Sequence, residues 1–346
     1  MLKTATFQNL TIVPDGEWRF SPGLNVVIGE NGTGKTHVLK AIYALLKVQA
    51  DSAEPTKSIL EKAYAEKLVR VFRAESLGRI ARRKQGRSRC EIALAFDDGS
   101  LDSAIGFATN AKSQVEIHKA PQTKLSQSPA YLPTRELITL APWFVSLYDN
   151  YHLEFEETWR DTVSLLGVPA VRGPRERHVA QLLAPLESAI GGKVVVDSAT
   201  GRFYLQIPGE GRMEMPLVAE GLRKFAMLAR LISTGVLLDK GYLFWDEPET
   251  NLNPKLMRVI AQTLIELASR GIQVFVATHS LFLLRELEIE LARHKPEHRT
   301  GARFFALSAH AEGVSLEQAD ELAGAVPIVA LDEALAQSDR YLALGA

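Results

Sequence analysis

The chain opens on a period of two. Leu2–Asn9 alternates apolar and polar positions, and Glu17–Phe20 resumes after a Pro14-Asp15-Gly16 turn, so both read as strands. Leu24–Ile28 is instead an apolar run broken only by Asn25, the pattern of a strand buried on both faces of a central sheet. From Lys35 to Lys47 the period lengthens to that of a helix, with Val38, Leu39, Ile42, Leu45 and Leu46 on one side. The same alternation returns late in the chain. It predicts a helix over 220–234, a strand over 242–245, and a helix capped by Asn253, with Pro254 in its first turn, that ends at Gly271. A strand over 272–277, a final strand over 303–307 and a helical tail over 329–344 follow.

Between these blocks the texture changes. A helix over 57–72 leads into a basic stretch and then into hairpin-like strands at 90–96 and 114–118, with an Asp98-Gly99 turn between them. Helices over 137–149, 154–165 and 175–190 come next, and short strands at 193–196, 202–207 and 212–215 close the segment. No tandem repeat or heptad series is present. The pattern therefore predicts an α/β fold with a split core, residues 1–48 and 216–346, and an α+β insertion lobe over 49–215.

The chemistry sits at the ends of the apolar strands. Gly29-Glu30-Asn31-Gly32-Thr33-Gly34-Lys35-Thr36 is a complete G-x-x-x-x-G-K-T, placed between a buried strand and a helix. Glycines let such a loop turn its N–H groups inward around a phosphate at a helix N-terminus. Asn31, Gly32, Thr33 and Gly34 form the cradle, Lys35 reaches the β- and γ-phosphates, and Thr36 offers its hydroxyl to Mg²⁺; ATP and Mg²⁺ are the expected cofactors. The strand Tyr242–Trp245 ends in Asp246 and Glu247. Asp246 is placed to hold the Mg²⁺ shell and Glu247 to polarise an attacking water, although two such acids alone also make an ordinary helix cap. Val274–Ala277 ends in Thr278-His279-Ser280, where His279 could meet a γ-phosphate or serve only as a cap.

Composition adds limits. The 346 residues carry 40 Lys and Arg against 41 Asp and Glu, so any polyanion contact must be local. Arg70, Arg73, Arg79, Arg82, Arg83, Lys84, Arg87 and Arg89 form one local basic run, a candidate phosphate-backbone footprint or simply a solvated face, with only Phe72 nearby for stacking. Cys90 is the single cysteine, which excludes an internal disulfide and fits a reducing cytoplasm. No apolar run reaches the roughly 18–20 residues of a membrane span, so no membrane is expected.

The order of these motifs resembles the ABC-type ATPases, and within them the RecF, OLD-type and chromosome-maintenance branch, over about residues 1–48 and 216–310. The resemblance implies a P-loop NTPase core with a mixed central sheet, in which Pro248–Pro254 looks like a D-loop and His279 like the switch histidine. It also implies two chains sandwiching ATP, each P-loop facing a signature segment of the other, for which Val218-Ala219-Glu220-Gly221-Leu222 is the best match. Ala219 stands where the family has a γ-phosphate-binding serine. Gly221 and the helix N-terminus remain, so the missing hydrogen bond, worth about 1.5–3 kcal/mol, points to slow or partner-dependent hydrolysis. Arg135, after Ala130-Tyr131-Leu132, occupies the place of a nucleotide-facing turn, or is a plain surface turn. The short insert argues against a coiled-coil arm, and no TOPRIM nuclease is expected after His279. The reading is a homodimeric or larger ATP hydrolase controlling a separate nuclease or toxin effector in antiphage defence or DNA repair. The alternatives are a nucleotide-bound scaffold and a transporter subunit.

Overall fold

The computed structural model describes residues 1–52, 56–83, 88–151, 153–169, 176–293 and 301–344. Its first elements are β1 (Leu2–Gln8), β2 (Gly16–Arg19), β3 (Leu24–Gly29), α1 (Lys35–Asp51), α2 (Lys57–Phe72), β4 (Arg89–Phe96), β5 (Ser103–Ala108), β6 (Glu116–Lys119) and β7 (Ala130–Leu132). Helices α3 (Phe144–Tyr151), α4 (Glu157–Leu166) and α5 (Glu176–Ile190) precede a small sheet of β8 (Lys193–Val196), β9 (Phe203–Ile207) and β10 (Gly211–Glu214). The chain continues through α6 (Glu220–Ser233), β11 (Tyr242–Asp246), α7 (Pro254–Ser269), β12 (Gln273–Thr278) and α8 (Leu281–Arg293). It finishes with β13 (Ala302–His310), β14 (Gly313–Ala319) and α9 (Val329–Ala343). No helix among the described residues is long and apolar enough to cross a membrane.

A six-stranded sheet in the order β14-β13-β3-β12-β11-β7 divides the molecule. Strands β13, β3, β12, β11 and β7 run parallel, and β14 is antiparallel at the edge. β3, β11 and β12 are apolar apart from Asn25, Asp246, Gln273 and Thr278, because both faces of the sheet are covered. Successive residues feed two cores. Val26, Ile28, Trp245, Val274 and Val276 point into one, with α5 to α8, while Val27, Phe244, Phe275 and Ala277 point into the other, with α1.

The second core lies between the central sheet and a five-stranded sheet, β2-β1-β4-β5-β6. Helix α1 is caught between the two sheets, which explains why the greater part of it is buried and its apolar stripe is broad. Aromatic rings fill the same gap: Trp18 stacks on Phe305 at 5.2 Å, and Phe244 on Phe275 at 4.7 Å. β4, β5 and β6 complete the sheet that β1 and β2 begin, and β7 forms one edge of the central sheet.

Several predicted elements move. The Asp98-Gly99 turn leads into β5, with Ile92 opposite Ile105, and β6 pairs with β5 rather than with β4. The helix predicted from 137 starts at Phe144, because Pro142 disfavours helical backbone at the residue before it. Helix α8 and strand β14 form where the sequence pattern marked none.

Gln273 ties the two sheets together. It is fully buried, accepts a hydrogen bond from the Leu2 N–H at 3.0 Å, and donates to the carbonyls of Leu2 at 2.7 Å and Ser21 at 2.8 Å. Substituting Gln273→Leu takes this partner from the N–H and carbonyl of Leu2, while the Ser21 carbonyl keeps the Asn25 amide at 2.9 Å, so urea unfolding should show a loss on the order of 2 kcal/mol or more. A change within experimental error of zero contradicts that role.

Candidate functional site

The parallel register brings three strand ends to one place. Asp246 pairs with Ala277 and Thr278 with Ile28, so the loop after β3, the acids after β11 and the polar triplet after β12 leave the sheet at the same edge. Gly32 and Gly34 take φ of 84° and 95°, the left-handed region that favours glycine, and this folds the 29–36 loop back to start α1. Lys35 is buried, and its ammonium donates to the carbonyls of Gly29 and Glu30, both at 2.8 Å. The Thr33 hydroxyl donates to the Glu30 carbonyl as well, while Asn31 and Gly32 are exposed at the loop tip. No side chain caps α1, which leaves its first N–H groups available to an anion.

Burial pushes the Lys35 ammonium below its ordinary range, opposed by the carboxylates of Glu247, Asp246, Glu249 and Glu30. Asp246 is only 7 % exposed, and Thr36 Oγ1 donates to both its carboxylate oxygens, at 3.0 and 2.9 Å. Burial raises the Asp246 carboxyl to about 6, with Glu247 adding to the rise and Thr36, Lys40 and Lys35 opposing it. A desolvated carboxylate and a hydroxyl side by side are hard oxygen donors of the kind that hold Mg²⁺ from one or two side chains. Among the described residues no group of three or more His, Cys, Asp and Glu is placed to hold a metal ion.

Glu247 has a φ of 45°, a costly conformation for a residue with a side chain. Its N–H donates to the Ala277 carbonyl at 2.9 Å, and its Oε1 lies 3.2 Å from His279 Nδ1. Both side chains reach solvent, His279 about half exposed and Glu247 less so. Buried Glu249 supports them from beneath, accepting from the Thr278 hydroxyl at 2.5 Å and from the His279 N–H at 3.2 Å. A cleft of about 260 Å³ opens beside this cluster, with Asn31 and His279 on one wall and Pro327, Ala330 and Glu333 at the start of the tail helix on the other.

The 218–222 segment lies apart. Ala219 is the exposed N-cap of α6, with no side-chain cap bond, and no hydrogen bond joins Ala219 or Gly221 to residues 29–36. Gly221 instead abuts the turn after the acids, where a Cβ would stand 2.4 Å from the Asn251 carbonyl oxygen. Arg135 is exposed, while its neighbour Glu136 pairs with Arg223 of α6 at 2.9 Å. Sequence reasoning passed over Lys224, which is buried and donates to the carbonyls of Glu247, Pro248 and Thr250 at 3.1, 3.4 and 3.1 Å. The available signal was its place in the apolar stripe of α6, one turn before Leu228. Glu249 was read only as part of the run after the acids; its burial shows only in three dimensions.

Carboxylates face several cations of the basic run, while Arg83 is exposed. Arg70 faces Glu66, Arg73 faces Glu154, Arg79 faces Glu75, and Arg89 pairs with Glu91 and Glu116. Arg82 donates to the carbonyls of Thr11 and Val13. Lys84 and Arg87 lie outside the described residues.

A protein-family model described as "AAA domain, putative AbiEii toxin, Type IV TA system" matches residues 106–285, a span that holds Asp246, Glu247 and His279 but not the 29–36 loop. DNA replication and repair protein RecF of Vibrio cholerae is 31% identical over 131 residues, covering 36% of this chain and 32% of that protein. The chain thus spans about a third of the length of this relative. DNA repair protein RecN of Aquifex aeolicus is 38% identical over 89 residues, 26% of this chain and 15% of that protein. The crystal structure of an SMC head bound to the C-winged helix domain of ScpA covers 92% of this chain and 97% of its own, with a TM-score of 0.57 at 10% identity, a likeness of fold.

The Asp246 carboxyl gives a test that needs no ligand. Its raised value means the folded protein holds the proton more tightly than the unfolded chain, so stability falls as pH climbs through about 6. Without nucleotide or metal, Asp246→Asn should gain on the wild type by up to about 3 kcal/mol between roughly pH 4 and pH 7.5 in urea unfolding. A difference that stays constant with pH contradicts the desolvated charge.

Proposed function

The chain belongs to this AAA-domain family, in the RecF- and SMC-like branch of the ABC-type ATPases, and on that premise we propose that it binds ATP with Mg²⁺ and hydrolyses it. The observation that carries the reading is the convergence of Thr36, Asp246, Glu247 and His279 at one sheet edge, with Lys35 beside them. The loop N–H groups and Lys35 bind the phosphates, with Lys35 exchanging its two carbonyl partners for phosphate oxygens. Thr36 and Asp246 hold Mg²⁺, which supplies neutralising charge on the phosphate oxygens. Glu247 accepts a proton from the attacking water; its left-handed backbone turns it out of the strand toward His279, and its partial exposure lets water reach it. His279, held by its backbone bond to Glu249, orients that water or meets the γ-phosphate.

The exposed, uncapped start of α6 supports a second step in the reading. Residues 218–222 meet the nucleotide of another copy, so that ATP joins two chains. Ala219 offers no hydroxyl there, and the lost hydrogen bond, about 1.5–3 kcal/mol, makes that union weak and turnover slow. The same alanine favours the second reading, a nucleotide-bound scaffold that scarcely hydrolyses ATP. RecF is named for DNA replication and repair, RecN for DNA repair, and the family description names a toxin. These names support a chain that controls a separate effector, a nuclease or toxin, in DNA repair or antiphage defence.

Glu247→Gln keeps the shape of the side chain and removes the base. Phosphate release should fall about a hundredfold or more while ATP binding persists. Unchanged turnover removes Glu247 from the mechanism, and a wild type that binds ATP without releasing phosphate supports the scaffold.

A further inference from the structure

Lys224 is buried in α6 beneath the turn that follows Glu247. A lysine almost never sits fully inside a protein unless its charge is compensated. Here the ammonium has three donors, and they meet three backbone carbonyls of one turn, those of Glu247, Pro248 and Thr250. The turn has its own closing bonds, Thr250 N–H to Glu247 and Leu252 N–H to Glu249, yet two of its residues, Glu247 and Asn251, hold left-handed backbone. Nothing in the turn's own hydrogen bonding fixes the direction of the Glu247 side chain. The ammonium grips the carbonyls of Glu247, Pro248 and Thr250, the stretch that lies between the two left-handed residues.

The same helix begins at Ala219, and Gly221, one turn before Lys224, is pressed on the Asn251 carbonyl so closely that no side chain fits. The start of α6 and the 247–251 turn are therefore clamped twice, once by steric contact and once by the ammonium. A displacement of one carries the other. We propose that Lys224 is a positioning residue that holds Glu247 in its productive orientation and couples residues 218–222 to the hydrolytic site of the same chain; the inference rests on the reading of Glu247 as the base. Carboxylates surround the ammonium, Glu249 and Glu247 in the turn, Asp246 on β11 and Glu220 on its own helix, and they offset the burial that lowers its pKa to about 8. Lys224 makes no bond to residues 29–36, so its effect falls on turnover and leaves nucleotide affinity alone.

The experiment compares steady-state ATP hydrolysis by the full chain, wild type and variants, with thermal melts as a check on folding. Lys224→Met and Lys224→Gln should lower kcat about a hundredfold, the scale of loss for a displaced catalytic group, with KM for ATP unchanged. Lys224→Arg, which keeps the charge and several N–H donors, should recover most of that loss. Gln retains two N–H donors for the buried carbonyls, so it carries the comparison if the Met variant does not fold. Wild-type kcat in a folded Gln variant, or a parallel loss of kcat and affinity, overturns the proposal. Glu247→Gln run alongside separates the two claims: turnover lost there but kept in the Lys224 variants defeats only the coupling, and turnover kept in Glu247→Gln defeats the reading beneath it.

Discussion

The bond between the Thr36 hydroxyl and the buried carboxylate of Asp246 holds the site together. It joins the first turn of α1 to the end of β11, two segments far apart in sequence, and it places two hard oxygen donors where burial makes a negative charge costly. A carboxylate kept out of water in this way is unstable in isolation and attracts a cation. The rest of the site is built around that tension: Lys35 lies near enough for its charge to lower the cost, and Glu247 near enough to raise it.

The sheet supplies the alignment. Three parallel strands in strict register end together, so groups from the 29–36 loop, the acid pair and the 278–280 triplet need only short excursions to meet. The turn after Asp246 is less comfortable. Its left-handed Glu247 and Asn251 persist because Lys224 and Glu249 support them from the interior, one through carbonyls and one through Thr278 and the His279 N–H. Strain at the surface is thus held by buried charge, and that buried charge sits at the junction with α6.

Much of this was readable in advance where local chemistry decides the structure. The glycine-rich loop, the apolar runs of β3 and β12 and the Asn253 cap, which accepts from the Leu256 N–H, all arise from short stretches of sequence. The strand pairings did not. An Asp98-Gly99 turn predicts a hairpin but not which strand completes it, and β4 finds β5 and, far earlier in the chain, β1. Gln273 and Lys224 escaped for the same reason, since a polar side chain within an apolar stretch shows its partners only once distant backbone is brought to it. The basic run is legible only by half: its count of arginines is visible in sequence, and the carboxylates that face Arg73 and Arg89 are not.

The central claim is that Thr36, Asp246 and Lys35 form one site for ATP and Mg²⁺ together. Calorimetric titration of ATP into the wild type and Thr36→Ala, each with Mg²⁺ and with a chelator, tests it most directly. Mg²⁺ should tighten ATP binding to the wild type, and most of that gain should vanish in the variant. ATP binding of equal strength with and without Mg²⁺ in the wild type, or an equal Mg²⁺ gain in both proteins, contradicts the account.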